Sequence, residues 1–203
     1  VWGTSYPYAS APFWLLTLFT LNFFRDPPRT ISTNSDEIVS PADGVIDGID
    51  DLDESPYYEG PCTRIAIFLN VFNVHINRAP DDCTVLRIEH KDGQYRNALD
   101  PTSSQVNECN MLYLETPHGK MTVRQISGAI ARRIVCVTSG GKQLTKGEKF
   151  GMIKFGSRTE LFLPQNLEIL AGLKDKVNGG STVIAKFDRS QSVNSETEQH
   201  EEK

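Results

Sequence analysis

The stretch MLYLETPHGKMTVRQI (111–126) holds two short apolar runs, 111–114 and 121–126, on either side of a His118-Gly119 turn. Runs of that length, bounded by turn residues, predict two strands folded back on each other. The same reading extends outward to strands over 63–72, 83–90, 134–137, 160–163 and 182–187. Glycine turns at Asp92-Gly93, Gly140-Gly141 and Gly179-Gly180 separate many of the runs, which favours antiparallel hairpins over helical crossovers. The expected fold class is α+β, mostly β: a compact antiparallel body with a hydrophobic helix at its N-terminal end. No repeat and no low-complexity linker divides the body.

With 203 residues, 38% of them hydrophobic, 23% charged and a net charge of −5, the chain suits one globular domain that can bury a core without metal or disulfide. The acidic balance argues against nucleic acid as a partner, because phosphate contacts need clustered lysine and arginine. Cys62, Cys83, Cys109 and Cys136 form no C-x-x-C pair and read as buried reduced thiols. No histidine pair has helical i, i+4 spacing and no carboxylates cluster, so no metal site is expected.

The composition is uneven along the chain. Residues 1–24 carry no charge, and FWLLTLFTLNFF (13–24) is polar only at Thr17, Thr20 and Asn22. As a helix those twelve residues would reach about 18 Å, short of the ~30 Å hydrocarbon layer. The run lacks the charged n-region and small-residue cleavage site of a signal peptide. Arg25 and Arg29 follow it and favour the cytoplasmic side of a membrane. Membrane association through 1–24 is therefore the expectation, and a helix docked on the body is the alternative. At the other end, 189–203 has one apolar residue, Val193, and reads as a solvated polar tail. The catalytic body is expected over 25–188.

Three polar clusters could carry chemistry. In VSPADG (39–44), Pro41 and Gly44 shape a turn that presents the Asp43 carboxylate, although Asp before Gly is also ordinary turn chemistry. In FLNVFNVHINRAP (68–80), His75 lies between Val74 and Ile76 on an expected apolar strand. It reads as a satisfied core histidine or as a general base. His90, His118 and His200, at a strand end, in a turn and in the tail, are weaker candidates. In KFGMIKFGSR (149–158), Gly156 precedes Ser157. A serine hydroxyl bent back onto a glycine carbonyl has the geometry of an N→O acyl shift. A second Gly-Ser pair stands at Gly180-Ser181.

Taken in order, FFRDPPR (23–29), VSPADGVI (39–46), FNVHINRAP (72–80), QISGAIARRIV (125–135) and KFGMIKFGSRTELFLP (149–164) resemble the phosphatidylserine decarboxylases over about 23–187. They are most similar to the short form, which carries F-G-S-R at its cut where longer members carry L-G-S-T. The resemblance implies a proenzyme that cuts itself between Gly156 and Ser157 into a β chain, 1–156, and an α chain, 157–203, which stay together as a heterodimer. Two such heterodimers pairing is a further partner state. It also implies that Ser157 becomes a covalent pyruvoyl cofactor, with His75 as processing base and Asp43 orienting the imidazole. The implied activity converts phosphatidylserine to phosphatidylethanolamine and CO2 through a Schiff base with that group, in phospholipid biosynthesis at the cytoplasmic face of a membrane. His75 would return the proton.

One position departs from the longer members, which place a histidine three residues before the one matching His75, where this chain has Phe72. The lipid phosphate then needs another partner, and Arg78, Arg132, Arg133 and Arg158 are the candidates. Gly180-Ser181-Thr182 imitates L-G-S-T but reads as a hairpin turn without chemistry. The rival readings are a carrier module built on the hammerhead-like segments 142–156 and 175–186, for which Lys174 and Lys176 fit poorly, and a phosphocarrier in which His90 would partner His75. An unprocessed lipid-binding homologue is the third.

Overall fold

The computed structural model describes residues 10–97, 100, 102–129, 133–154 and 156–187. Residues 1–9, Arg132, Phe155 and the expected tail 189–203 lie outside them. The chain runs α1 (Ala11–Phe23), β1 (Glu37–Val39), β2 (Gly44–Leu52), β3 (Cys62–Leu69), β4 (Ile76–Arg78) and β5 (Cys83–Lys91). It continues with α2 (Ser103–Val106), β6 (Cys109–Thr116), β7 (Gly119–Ile126), β8 (Arg133–Cys136), β9 (Gln143–Leu144) and β10 (Lys149–Lys154). It closes with β11 (Ser157–Pro164), β12 (Leu167–Ile169), β13 (Lys176–Val177) and β14 (Val183–Phe187). The fold is mostly β, as expected.

Eight strands form one sheet in the order β13-β2-β3-β11-β7-β6-β5-β9, all neighbours antiparallel. Two three-stranded sheets, β1-β14-β12 and β4-β10-β8, complete it. The hairpin that opened the reading is real: β6 and β7 pair from Cys109↔Ile126 to Thr116↔Gly119. Gly119 takes a φ of 108° there, a conformation that costs glycine little. Ile65, Ile67, Leu112, Leu114, Val123, Leu161 and Leu163 from four neighbouring strands form the heart of the buried core.

Two expectations need correction. The strand expected over 63–72 stops at Leu69, because two asparagines redirect the backbone: Asn73 Oδ1 accepts from the Asn70 amide (2.9 Å) and Asn70 Oδ1 from the Phe72 amide (2.8 Å). Such local bonds offer the chain an alternative to the ladder. His75 consequently precedes β4 rather than sitting inside a strand. The Gly179-Gly180 turn is not a hairpin either, since β13 before it pairs with β2 while β14 after it pairs with β1 and β12.

Helix α1 carries no acidic residue in its first turn and no basic residue in its last. Phe23 is its one buried residue. Phe13, Trp14, Leu15, Leu16, Leu18 and Leu21 are each 60% exposed or more. The helix is thus docked through its C-terminal half, where Phe23 is buried and Phe19 meets Phe72. Among the described residues no helix is long and apolar enough to cross a membrane.

Strand β11, between β3 and β7, is buried along all but its last residue. Its Glu160 is fully buried and bonded to Arg124 Nη1 at 3.0 Å and Arg64 Nη1 at 3.3 Å. Arg124 is itself buried, lies over the Tyr57 ring at 4.0 Å and also donates to the Ser104 carbonyl. Removing one partner of a buried pair strands the other charge away from water, at a cost of about 3–5 kcal/mol. Glu160→Ala should lower the unfolding free energy by about that much, read from urea midpoints in a Ser157→Ala background so that only one covalent species unfolds. A change within about 0.5 kcal/mol, the range of an ordinary surface substitution, would contradict this account.

Candidate active site

Four consecutive residues at the head of β11 are polar and buried: Ser157, Arg158, Thr159 and Glu160. Buried polar groups normally find partners, and three of these do. Arg158 Nη2 donates to Asp47 Oδ2 at 2.5 Å, Thr159 Oγ1 accepts from Asn77 Nδ2 at 3.1 Å, and Glu160 holds its arginines. The network behind Thr159 continues as Gln125 Nε2 to Asn77 Oδ1 at 2.8 Å and Asn110 Nδ2 to Gln125 Oε1 at 3.0 Å. The Ser157 hydroxyl is the exception, buried with no hydrogen-bond partner among the described residues. Forming a bond to carbon there would cost the fold no side-chain hydrogen bond.

Gly156, immediately upstream, adopts a φ of +61°, with open space where a Cβ would stand. Its amide donates to His75 Nε2 at 3.4 Å. The other ring nitrogen, Nδ1, is 2.9 Å from the Asn73 carbonyl, which can only accept. The proton therefore belongs on Nδ1, leaving the Nε2 lone pair toward the Gly156-Ser157 segment. The imidazole is fully buried, with the Phe23 ring centroid 4.3 Å from its own. Burial pushes its pKa down to about 4, the Asn73 bond opposing this and the Arg25 charge adding to it. The ring is neutral at physiological pH.

The hydrogen bonds of Asp43 go to groups other than that ring. Its oxygens lie 2.8 and 2.7 Å from Arg29 Nη2, and Oδ1 also accepts the Gly179 amide at 2.8 Å. The carboxylate instead ties its own turn to the β13-β14 connection and to the segment after α1. That turn reaches β4 through its backbone, since the Pro41 carbonyl accepts from the Arg78 amide at 3.0 Å. Gly44 lets it pack, because a Cβ there would lie 2.3 Å from the Phe68 carbonyl oxygen. Sequence reasoning missed Arg29, the Asn73 carbonyl and Phe23. Arg29 and Phe23 stand inside the quoted FFRDPPR motif, so the signal was present but had no partner assigned to it.

The remaining candidates sort by their partners. Arg78 is bonded to the Gly147 carbonyl and to Asp26 (3.0 and 2.8 Å) and Arg158 to Asp47, whereas Arg133 is exposed at the start of β8. Ser181 sits in a turn, its amide bonded to the Asn178 carbonyl. His90 lies 3.4 Å from Asp92 and 3.5 Å from Glu108, so it does not partner His75. His118 is more than a turn residue: it is buried, with Nδ1 2.8 Å from Asp81, but it follows Thr116 at the end of β7 remote from Ile126, the residue paired with Arg158. All four cysteines are free thiols.

The phosphatidylserine decarboxylase family model matches residues 16–185. A protein of Neisseria meningitidis serogroup C (strain 053442) is 43% identical over 180 residues, covering 88% of this chain and 67% of its own length. One of Ralstonia pickettii (strain 12J) is 43% identical over 178 residues, covering 87% and 82%. One of Nitrosomonas eutropha is 42% identical over 177, with the same coverage. Each of the three is named phosphatidylserine decarboxylase proenzyme. With the match running from within α1 into β14 and covering the positions of His75, Gly156 and Ser157, the chain belongs to the phosphatidylserine decarboxylase family.

Proposed function

We propose that this chain is a phosphatidylserine decarboxylase, cut by itself between Gly156 and Ser157, that converts phosphatidylserine to phosphatidylethanolamine and CO2 in phospholipid biosynthesis. The observation that carries the reading is the buried Ser157 hydroxyl, without a hydrogen-bond partner among the described residues. It lies one residue beyond a glycine amide that meets the neutral His75 ring at 3.4 Å.

His75 Nε2 takes the hydroxyl proton, and Ser157 Oγ attacks the Gly156 carbonyl. The carbon–nitrogen bond breaks, the Ser157 nitrogen takes the proton, and an ester joins Gly156 to the side chain. Loss of the Ser157 α-hydrogen and of the Cβ–Oγ bond releases a Gly156 carboxylate and leaves dehydroalanine. Water hydrolyses this to a pyruvoyl group and ammonia. The group supplies the electron sink for the carbanion left by CO2, and a buried, low-dielectric strand end suits it. His75 returns a proton to that carbon. An anionic substrate against the ring raises its proton affinity above that in the intact chain. Asp43 acts as a positioning residue, holding through Arg29 and Gly179 the turn on which β4 rests.

The 1–156 and 157–203 pieces stay together because β11 lies between β3 and β7, β13 pairs with β2, and β14 with β1. The exposed apolar side chains of α1 enter the bilayer, from its cytoplasmic face given the arginines that follow. Each is worth about 1.5–3 kcal/mol when taken out of water.

Ser157→Ala should stop both the appearance of the two fragments on a denaturing gel and CO2 release from phosphatidylserine. CO2 release by this variant would refute the assignment of the cofactor precursor. A wild-type chain that stays uncut even with hydroxylamine, which cleaves the ester, would sink self-processing.

The pH dependence follows from His75. Cutting of newly made chain should persist through pH 6.5 and fall to half near pH 4, where the buried ring gains its proton; a half-point near 6.5 would contradict the burial argument. The folded pKa lies below the unfolded one, so between these values the unfolded chain binds the proton more readily. Stability of the Ser157→Ala chain should therefore be full above about pH 6.5 and decline as the pH drops toward 4, followed by urea midpoints. The His75→Gln change should remove that part of the decline.

A further inference from the structure

Much of the positive charge in this acidic protein is neutralised at short range. Arg29, Arg64, Arg78, Lys149 and Arg158, for example, all lie within 4 Å of a carboxylate. Lys154, Arg133 and Arg25 have no carboxylate partner among the described residues, and they converge on one place.

Lys154 and Arg133 are direct cross-strand partners on β10 and β8. Like charges so opposed are unfavourable, and the sheet bears that cost two residues before the scissile glycine. The Lys154 ammonium stands 5.7 Å from the centroid of the Phe24 ring, itself 45% exposed at the end of α1. Arg25 follows Phe24 and is held with its Nη1 on the Asn22 carbonyl (2.6 Å) and its Nη2 on the Phe72 carbonyl (2.8 Å). That fixes its charge between the last turn of α1 and the loop leading to His75. The charge lowers the proton affinity of His75, which independently locates it beside the site. Phe72 is 67% exposed, and its ring meets Phe19 of α1 edge-on at 6.4 Å. An apolar prominence with a cationic rim at its base matches the layering of an anionic bilayer, acyl chains beneath and phosphodiesters above.

We propose that Lys154, Arg133 and Arg25 form a phosphate-binding collar that seats the mouth of the site on the phosphodiester groups of the bilayer entered by α1. The proposal rests on the decarboxylase reading and adds the lipid phosphate ligand to it. In phosphatidylserine the phosphorus is separated from the reacting α-carbon only by an oxygen and a methylene. An α-carbon brought to residue 157 therefore puts its phosphate within reach of residues flanking the cut. Of the arginines considered from sequence, Arg133 belongs to this collar. Arg78 and Arg158 are committed to Asp26 and Asp47.

The test is flotation of the mature protein with vesicles of phosphatidylcholine alone or mixed with phosphatidylglycerol, which is anionic but has no amine to react. Wild type should bind both, more tightly with phosphatidylglycerol, and only that increment should weaken as salt rises. Replacing Lys154→Gln and Arg133→Gln together should lower affinity for the anionic vesicles about 25-fold, at about fivefold per cation. Binding to phosphatidylcholine, carried by α1, should stay at the wild-type level, which also certifies the fold. The pair Lys120→Gln and Lys176→Gln removes equal charge elsewhere and should leave anionic binding unchanged. The collar is overturned if wild type does not distinguish the two vesicles, if the Lys154/Arg133 variant binds within twofold of wild type, or if the control pair loses as much. Wild type that binds anionic vesicles as expected yet releases no CO2 from phosphatidylserine would refute the decarboxylase reading instead, by a separate readout.

Discussion

A strand buried on both faces must account for every polar group it carries, and β11 carries four in succession. Thr159 is held by an amide network reaching β4, β7 and β6, Arg158 by Asp47 of β2, and Glu160 by arginines from β3 and β7. These ties, more than the apolar residues alone, set where β11 sits among its neighbours. They leave one hydroxyl unmatched at its N-terminal end, next to a glycine with left-handed backbone and a buried imidazole. The unpartnered hydroxyl is thus a local exception in a strand whose other three buried polar side chains each hold a partner. It is held in place by interactions that take no part in the chemistry.

Much of the body was legible from sequence because apolar runs bounded by turns are a short-range signal. The 111–126 hairpin follows directly from such runs, and seven expected strands have counterparts. Two kinds stand out among the elements missed. β9, β12 and β13 are two or three residues long, too short for any periodicity, and exist because a neighbouring edge offers unpaired backbone. β2 is long but reads GVIDGIDDL, where alternation is broken by a bulge between Ile46 and Gly48. The over-extended strand at 63–72 failed because asparagine side chains bonding to nearby amides outcompeted ladder hydrogen bonds, an effect invisible to a hydrophobicity count.

The site divides along the same line. Asp43, His75 and Ser157 could be named from motifs, and the structure brings His75 to the amide of Gly156, the residue before Ser157. What holds each of them could not be named, because the partners are non-local or are backbone groups. Arg29 reaches Asp43 across a turn, the Asn73 carbonyl faces His75 from a bend, and Phe23 arrives from the end of an otherwise exposed helix. A motif identifies the atoms that react, whereas the tautomer and proton affinity of an imidazole depend on whatever packs around it.

The position of β11 also bears on the lifetime of the enzyme. On the proposed cut, a fragment beginning at Ser157 would contribute strands to two sheets, one of them in the middle, so it could leave only if the whole domain opened. Neither a fresh fragment nor an external cofactor could then replace it. With Ser157 as the proposed cofactor precursor, each molecule would receive a single prosthetic group for life, and chemical damage to that group would retire the protein, so activity would be renewed by synthesis and not by repair.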